Sequence, residues 1–161
     1  MERQLNKNLI KLIIYDFDGV MTDNRLLVDE NGKESVFVNR GDGYAISKIK
    51  KLGIKQIIVS TEINRVVSRR AEKLGIDVIH GVSDKEKVVC KYCEAHGINT
   101  ENVLFVGNDL NDLPAMGIVR YKAAPRDAEE EILAVADWIS EKGGGEGVIR
   151  DLYRCLTQEG E

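Results

Sequence analysis

The sequence has few cysteines, no long apolar run and no excess of positive charge, and each lack excludes a class of protein. Three cysteines among 161 residues are too few for a disulfide framework, so we expect a reducing, cytoplasmic location. No apolar run approaches the roughly 20 residues of a membrane span, and the N-terminus lacks the apolar core of a signal peptide. A net charge of −4 argues against nucleic acid as the main partner. We therefore expect a protein that binds neither membranes nor nucleic acid.

Composition and length are those of one ordinary globular domain, which we predict to span residues 1–161. Cys90, Cys93 and His96 are spaced three residues apart in a run that resembles a helix. Steps of three residues turn a helix by about 300° each, so the three side chains diverge too far to close a tetrahedral zinc site. They are predicted to be ordinary helix residues.

Short apolar runs alternate with amphipathic stretches along most of the chain. This alternation predicts an α/β fold with a Rossmann-like, doubly wound parallel sheet and helices on both faces. The predicted strands are 11–17, 54–60, 77–81, 103–107, 118–123 and 136–140. The predicted helices lie near 43–52, 63–74, 85–96, 109–116, 126–135 and 146–157.

Two segments fall outside this alternation. Residues 24–40 read as two strand-like runs around a turn at ENG, which predicts a β-hairpin. Because it follows the first strand directly, we interpret it as an active-site flap; a decorative surface hairpin is the alternative. The glycine-rich run at 142–148 indicates either a flexible loop or a backbone that approaches an anion. We treat residues 141–161 as a C-terminal tail.

The run LIIYDFDGVMTD at 12–23 is an apolar strand that ends in two aspartates one residue apart. Gly19 favours the end of the strand, so Asp16 and Asp18 are predicted at its carboxyl end, where open α/β sheets bind ligands. Two close carboxylates repel each other unless a cation or proton joins them, and Mg2+ prefers such oxygen ligands. The pair therefore predicts a Mg2+ site, against the alternative of two capping aspartates.

Polar residues also follow other predicted strands. Ser60 precedes a helix whose free N–H groups could help it bind a phosphoryl oxygen, although an ordinary N-cap would look the same. Lys85 starts a helix against the dipole preference, which a bound phosphate would explain; a solvated surface lysine is the alternative. In GNDLND, Asn108 offers a neutral oxygen to Mg2+, while Asp109 and Asp112 could stand behind it, with Asp112 orienting Lys85 or a water.

Together these residues suggest phosphoryl transfer through an aspartyl-phosphate. Asp16 would attack phosphorus, and Asp18 would protonate the leaving oxygen and then activate water. Ser60 and Lys85 would hold the oxygens of the transferred group.

At these residues the chain resembles a known superfamily. DFDGVMTD, Ser60, Lys85 and GNDLND match in order the four motifs of the haloacid dehalogenase-like phosphatases, over residues 12–115. The resemblance implies a nucleophile at Asp16 and an acid/base at Asp18, which also binds Mg2+ through its main-chain carbonyl. It implies Asn108 as the third metal ligand.

One branch resembles the chain more narrowly, through DFDGVMTDN, the hairpin, NRGDGYAI, KLGI, SDK and a late KGGxxGxxR pattern. It holds 3-deoxy-D-manno-octulosonate 8-phosphate phosphatases, the C-terminal domain of acylneuraminate cytidylyltransferases and KDN 9-phosphate phosphatases. The resemblance implies a phosphorylated 2-keto-3-deoxy sugar acid of eight or nine carbons as substrate. Arg40 is the candidate partner of its carboxylate, with Asp42 and Thr61 as further substrate contacts.

The chain departs from that branch at a few positions. Octulosonate phosphatases usually have Asp where this chain has Asn108, which lowers the negative charge of the site. Where relatives have glycine and arginine after the second-motif hydroxyl, this chain has Thr61 and Glu62. Their KGGRG run reads KGGGEG here.

The motif spacings leave no room for a cap domain, because a hairpin and single helices account for the segments between motifs. An open site loses part of its electrostatic catalysis to water. Relatives form homotetramers in which a neighbour's flap or tail covers the site, and we expect the same here. Two other functions stay open: a capless phosphatase of a large substrate, and a non-catalytic tetramerisation domain of the cytidylyltransferase type.

Overall fold

Six parallel strands form the centre of the protein in a computed structural model, which describes residues 5–158. In chain order the strands are β1 (Leu12–Tyr15), β2 (Leu27–Val28), β3 (Glu34–Ser35), β4 (Lys55–Val59), β5 (Asp77–Ile79), β6 (Val103–Val106), β7 (Tyr121–Ala124) and β8 (Trp138–Ile139). The sheet order is β5-β4-β1-β6-β7-β8, while β2 and β3 pair only with each other. The prediction of a doubly wound parallel sheet with a separate hairpin is confirmed.

Helices cover both faces of the sheet. They are α1 (Arg40–Lys51), α2 (Arg65–Leu74), α3 (Lys85–His96), α4 (Leu113–Ile118), α5 (Glu130–Val135) and α6 (Val148–Thr157), with 3-10 turns at Thr100–Asn102 and Leu110–Asp112. Side chains of a strand alternate between faces, so Ile13 and Tyr15 pack with α1, α2 and α6, whereas Leu12 and Ile14 pack with α3, α4 and α5. No helix in the described part of the chain is long and apolar enough to cross a membrane.

Local signals explain the helix boundaries that follow the prediction closely, whereas α4 and α5 begin later than predicted, at Leu113 and Glu130. Asn39, Asn64 and Asp84 each accept a hydrogen bond from the first turn of the helix they precede. Gly75 and Gly97 end their helices in the left-handed conformation that glycine adopts without strain. The strand predicted over 118–123 starts later, because α4 continues to Ile118 and the pairing with β6 begins only at Tyr121.

The hairpin is smaller than its predicted range, with two paired residues in each strand and an isolated bridge between Thr22 and Val38. It and α1 account for the chain between β1 and β4, and α3 with one 3-10 turn accounts for the chain between β5 and β6. The described residues therefore leave neither position for a cap domain, as predicted.

The interpretation of residues 141–161 as a tail is wrong for most of its length. The α6 side chains Val148, Ile149, Leu152 and Leu156 are buried in the same core cluster as α1. Burying this apolar face stabilises the fold, so α6 is part of the domain core rather than an extension toward a neighbour. The last residues, 159–161, lie outside the described part of the chain.

Candidate active site

The predicted site residues gather at one edge of the sheet. β1 pairs with β4 on one side and with β6 on the other, so the chain order reverses at β1. Asp16, Ser60 and Asn108 follow these three strands at their carboxyl ends. Open α/β sheets bind ligands at such a switch point.

Asp16 lies in a buried position at the centre of this edge, 6% exposed. Its Oδ1 accepts hydrogen bonds of 2.8 Å from Lys85 Nζ and of 2.8 Å from the N–H of Phe17. Its own N–H donates to the carbonyl of Val106 in β6, at 2.9 Å. Both main chain and side chain are thereby held, which orients the carboxylate toward the edge of the sheet.

Asp112 stands behind Asp16 and joins two parts of the site. Its Oδ1 accepts a hydrogen bond of 2.6 Å from Lys85 Nζ, and its Oδ2 accepts from the N–H groups of Asn108 at 3.0 Å and Asp109 at 3.2 Å. A Cβ on Gly107 would approach Asp112 Cβ to 2.8 Å, so this approach requires glycine. Asp112 thus contacts Lys85, one of the two partners predicted for it.

Asp109, predicted to share that supporting position, is exposed. Its carboxylate accepts a hydrogen bond of 2.6 Å from the N–H of Leu110 and caps the 3-10 turn there. Its main chain contacts the buried group through Asp112: its N–H donates to Asp112 Oδ2 at 3.2 Å, and its carbonyl accepts from the N–H of Asp112 at 2.9 Å.

The charges of this buried group do not cancel. Burial and the neighbouring Asp112 carboxylate raise the pKa of Asp16 to about 7, against the opposing effect of Lys85. Burial alone would lower the pKa of Lys85, but the two carboxylates outweigh it and raise that pKa, so the lysine stays cationic. When both carboxylates are ionised, they exceed the single ammonium group by one negative charge, which a bound cation would offset.

Asp18, two residues beyond Asp16, is only half-buried. Burial and the charge of Glu62 raise its pKa above the usual value, despite the opposing charge of Lys85. A raised pKa extends the pH range over which the carboxyl group keeps its proton, which is the direction that a general acid needs.

Asn108 brings a third group to this point. The outer atom of its side-chain amide is 2.9 Å from Asp16 Oδ2 and 2.9 Å from the main-chain oxygen of Asp18. With the amide oxygen in that place, three oxygens converge. Neighbouring oxygens around Mg2+ are about 2.9 Å apart when the bonds are 2.0–2.1 Å long and perpendicular. The three groups therefore fit a hard divalent cation.

This donor set differs from the usual carboxylate and imidazole clusters. Within residues 5–158 no three His, Cys, Asp or Glu side chains are placed to hold a metal ion, because an amide and a main-chain oxygen take two of the positions here. Cys90, Cys93 and His96 all lie on α3, and His96 stacks on Tyr92.

Ser60 and Thr61 follow β4, the neighbour of β1. Ser60 is 1% exposed, and its Oγ accepts a hydrogen bond of 3.2 Å from the N–H of Glu62. The hydroxyl hydrogen is left available for an anion. Thr61 is exposed beside it.

Asp42 does not belong to the site, and its prediction as a substrate contact is wrong. Its side chain is 2% exposed and accepts hydrogen bonds from the N–H groups of Ile149 at 3.2 Å and Arg150 at 3.3 Å. These are the first-turn donors of α6, whose N-cap Gly147 has no side chain to offer. Asp42 therefore caps α6 from another helix.

Arg40 is exposed at the start of α1 and lines a surface cavity of about 630 Å3. Arg70 and Lys73 of α2 line the same cavity, and none of the residues around Asp16 does. The structure thus brings together Asp16, Asp18, Lys85, Asn108 and Asp112, with Ser60 and Thr61 on the adjacent strand end, and leaves Arg40 apart from them.

The glycine-rich run packs against the loop that carries Asp18. A Cβ on Gly144 would lie 2.2 Å from the main-chain oxygen of Gly19, and the N–H of Gly145 donates to Val20 at 3.1 Å. Thr22, which sequence reasoning missed, holds the same loop by accepting from the N–H of Gly19 at 3.2 Å. The glycines therefore allow a close approach of backbone to this loop of the protein.

Comparison with known proteins agrees with this geometry. A family model of haloacid dehalogenase-like hydrolases matches residues 47–152. The 3-deoxy-D-manno-octulosonate 8-phosphate phosphatase of Escherichia coli strain K12 is 33% identical over 148 residues, which are 91% of this chain and 79% of that protein.

Two solved structures extend the likeness to the fold. A candidate HAD family hydrolase from Streptomyces avermitilis has a TM-score of 0.94 at 39% identity, covering 97% of this chain and 90% of its own. The 3-deoxy-D-manno-octulosonate 8-phosphate phosphatase from Moraxella catarrhalis, in complex with magnesium ion, phosphate ion and KDO, has a TM-score of 0.89 at 29% identity, covering 93% and 87%. The chain belongs to the haloacid dehalogenase-like hydrolase family, which confirms the resemblance and the prediction of a hydrolase.

Proposed function

We propose that this protein is a Mg2+-dependent phosphatase of a phosphorylated 2-keto-3-deoxy sugar acid with eight or nine carbons. The observation that carries the proposal is the placement of Asp16, with Lys85 on one carboxylate oxygen and Asn108 on the other. The relatives from E. coli and M. catarrhalis bear the name of an eight-carbon substrate, which makes that substrate the first candidate.

Asp16, the main-chain oxygen of Asp18 and Asn108 would hold the Mg2+ ion. When bound, it would offset the repulsion between the anionic carboxylate and the anionic phosphate. The net negative charge of the buried group supports this assignment.

The chain's own residues then account for the reaction. A carboxylate oxygen of Asp16 attacks phosphorus, the bond from phosphorus to the sugar oxygen breaks, and Asp18 gives that oxygen its proton. Asp18 next takes a proton from the water that attacks phosphorus, which releases phosphate and restores Asp16. Lys85 and Ser60 hold the phosphoryl oxygens, and their burial strengthens these contacts.

The cavity of Arg40, Arg70 and Lys73 is our candidate site for the carboxylate of the sugar acid. Guanidinium groups pair well with carboxylates, and the residues that line this cavity include no acid. Since the cavity does not adjoin Asp16 in the same subunit, we propose that one subunit binds the phosphate and a neighbour binds the carboxylate.

A homotetramer would bring two such half-sites together. Leu27, Val28 and Phe37 of the hairpin are exposed, with Phe37 at 74%. Ile63, which is 82% exposed, lines a cavity together with Gly32, Lys33 and Glu34 of the hairpin. Apolar side chains exposed to this degree in one region favour burial against a partner. Val36, in the same segment, is partly buried and packs against the core instead of joining this surface. The three free cysteines support a cytoplasmic location.

Phosphate release from four substrates would test the proposal: 3-deoxy-D-manno-octulosonate 8-phosphate, KDN 9-phosphate, glucose 6-phosphate and a phosphopeptide. We expect Mg2+-dependent turnover of one or both sugar acids. Asp16→Asn should reduce it by on the order of 1,000-fold or more, because the variant keeps the shape but loses the nucleophile. Asp109→Asn, an exposed carboxylate nearby, is the matched control and should keep near wild-type activity.

The alternatives give different results in the same assay. A preference for the phosphopeptide, with an active monomer by light scattering, would favour the large-substrate phosphatase. A tetramer that hydrolyses none of the four would favour the non-catalytic domain and contradict the proposal.

A further inference from the structure

We propose that Asn108 closes the site in two alternative orientations: its amide nitrogen faces Asp16 and Asp18 when no metal is bound, and its amide oxygen faces them when a divalent cation is bound. The inference rests on the proposed metal site and is independent of which sugar acid is the substrate. Asn108 would then stabilise the metal-free protein as well as bind the metal ion.

The main chain of Asn108 is held on both sides. Its N–H donates to Asp112 Oδ2 at 3.0 Å, and its carbonyl accepts from the N–H of Glu129 at 2.9 Å. Because the backbone is held, the freedom left at this position is in the side chain. Rotation of the terminal amide by half a turn exchanges nitrogen and oxygen and leaves the shape of the side chain unchanged.

Each orientation suits one state of the site. With nitrogen outward, the amide donates hydrogen bonds of 2.9 Å to both Asp16 Oδ2 and Asp18 O, and its oxygen faces donors. With oxygen outward, that atom faces only acceptors and the nitrogen faces only donors. A cation between the three oxygens reverses this preference, since it attracts all of them. The presence of the cation therefore selects the orientation.

Burial makes the choice of orientation matter. Asn108 is 8% exposed, so little water reaches it to replace a lost partner. Gly19 leaves room for the amide, because a Cβ there would come within 2.0 Å of Asn108 Nδ2. Gly19 also has a φ of +86°, which a side chain would strain. The amide thus lies in a close-fitting position between Gly19 and the two oxygens.

An aspartate at this position would behave differently. Its two oxygens would attract Mg2+ more strongly but would repel Asp16 whenever the metal is absent. Compared with an aspartate, Asn108 therefore binds the metal more weakly but avoids that repulsion when the metal is absent. Because residue 108 is asparagine, we expect the protein to lose little stability when Mg2+ is removed.

Nitrogen-15 spectra of the side-chain amides test the proposal directly. The Asn108 signals are assigned by their loss in Asn108→Asp, and the exposed Asn99 is the internal control. In EDTA we expect the Asn108 amide hydrogens to exchange with solvent at least about tenfold more slowly than those of Asn99. Addition of Mg2+ should shift the Asn108 signals and remove most of that protection, while Asn99 stays unchanged.

Calorimetric titration with Mg2+ on the same samples separates the possible failures. Bound Mg2+ with unchanged Asn108 signals would overturn the two-orientation model and leave the metal site intact. No Mg2+ binding would overturn both. Thermal unfolding adds a second test: metal removal should lower the melting temperature of Asn108→Asp more than that of the wild type. The reverse order would contradict the proposal.

Discussion

Lys85 Nζ and Asp112 Oδ1 are 2.6 Å apart and fully buried, and the same ammonium group reaches Asp16 at 2.8 Å. The carboxylate of Asp112 therefore positions Lys85, and Lys85 in turn orients the carboxylate of Asp16. Asp112 also fixes the main chain of Asn108, so one side chain supports both halves of the site.

We expect Asp112→Asn to lower turnover by about 10- to 100-fold, as for other residues that orient a ligand from behind. An amide has one acceptor atom and one donor atom, so it cannot accept from Lys85 and from two main-chain N–H groups together. Asp109→Asn makes the same chemical change on an exposed cap and should alter turnover by less than about twofold. Steady-state phosphate release measures both, and equal loss in the two variants would contradict the role of Asp112.

The stability contributed by Asp42 should fall as pH rises. Burial raises the pKa of Asp42 to about 6, although the N–H groups of Arg150 and Ile149 favour its ionised form. An unfolded aspartate titrates near 3.9, so between these values the folded state binds the proton more tightly. The contribution is complete below a pH of about 4 and is lost as the pH rises through about 6.

Asp42→Asn keeps the acceptor oxygen and removes the charge. Relative to wild type, its free energy of unfolding should therefore rise by about 2 kcal/mol between pH 4.5 and pH 7. Urea unfolding at both pH values measures this difference. Asp29→Asn, in the exposed hairpin turn, should leave the wild-type pH dependence unchanged. A pH-independent difference between Asp42→Asn and wild type would show that the carboxyl group titrates alike in both states.

Gly144→Ala should destabilise the fold by about 1–3 kcal/mol and reduce activity. The new Cβ would lie 2.2 Å from the main-chain oxygen of Gly19 and 2.7 Å from that of Thr22, so the loop carrying Asp18 must move. Gly117→Ala has nothing within 4 Å of its Cβ in α4 and should be neutral or stabilising by up to about 1 kcal/mol. Thermal unfolding and turnover should be measured for both variants. Equal effects of Gly144→Ala and Gly117→Ala would refute this prediction.

Leu152→Ala should cost about 2–5 kcal/mol of stability, because Leu152 is fully buried in the core that α6 shares with α1. Leu52→Ala, at a position 42% exposed, should cost less than about 1 kcal/mol. Truncation after Ser140 should abolish cooperative unfolding altogether. A truncated chain that still unfolds cooperatively would restore the interpretation of these residues as a tail.

Much of the fold and site follows from local pattern. The alternation of short apolar runs with amphipathic stretches predicts the six sheet strands and six helices, and caps such as Asn64 and Asp84 mark where helices start. Asp16, Asn108 and Lys85 were identifiable because each lies at the end of a strand or the start of a helix. The carboxyl ends of parallel strands meet at one edge, so position along the chain was enough to bring these residues together.

Contacts between distant parts of the chain were not readable in this way. Asp42 and Ile149 are 107 residues apart, and nothing around either one marks a helix cap supplied by another helix. The amphipathic pattern of 146–157 predicts the helix, but only packing against α1 makes it core. The helices, the strands and the identity of the chemical groups can be inferred from the amino-acid order alone, because they depend on neighbours along the chain. Which polar groups are buried, and which amide or glycine contacts them, follows from the packed fold, because those contacts depend on distances that local pattern does not contain.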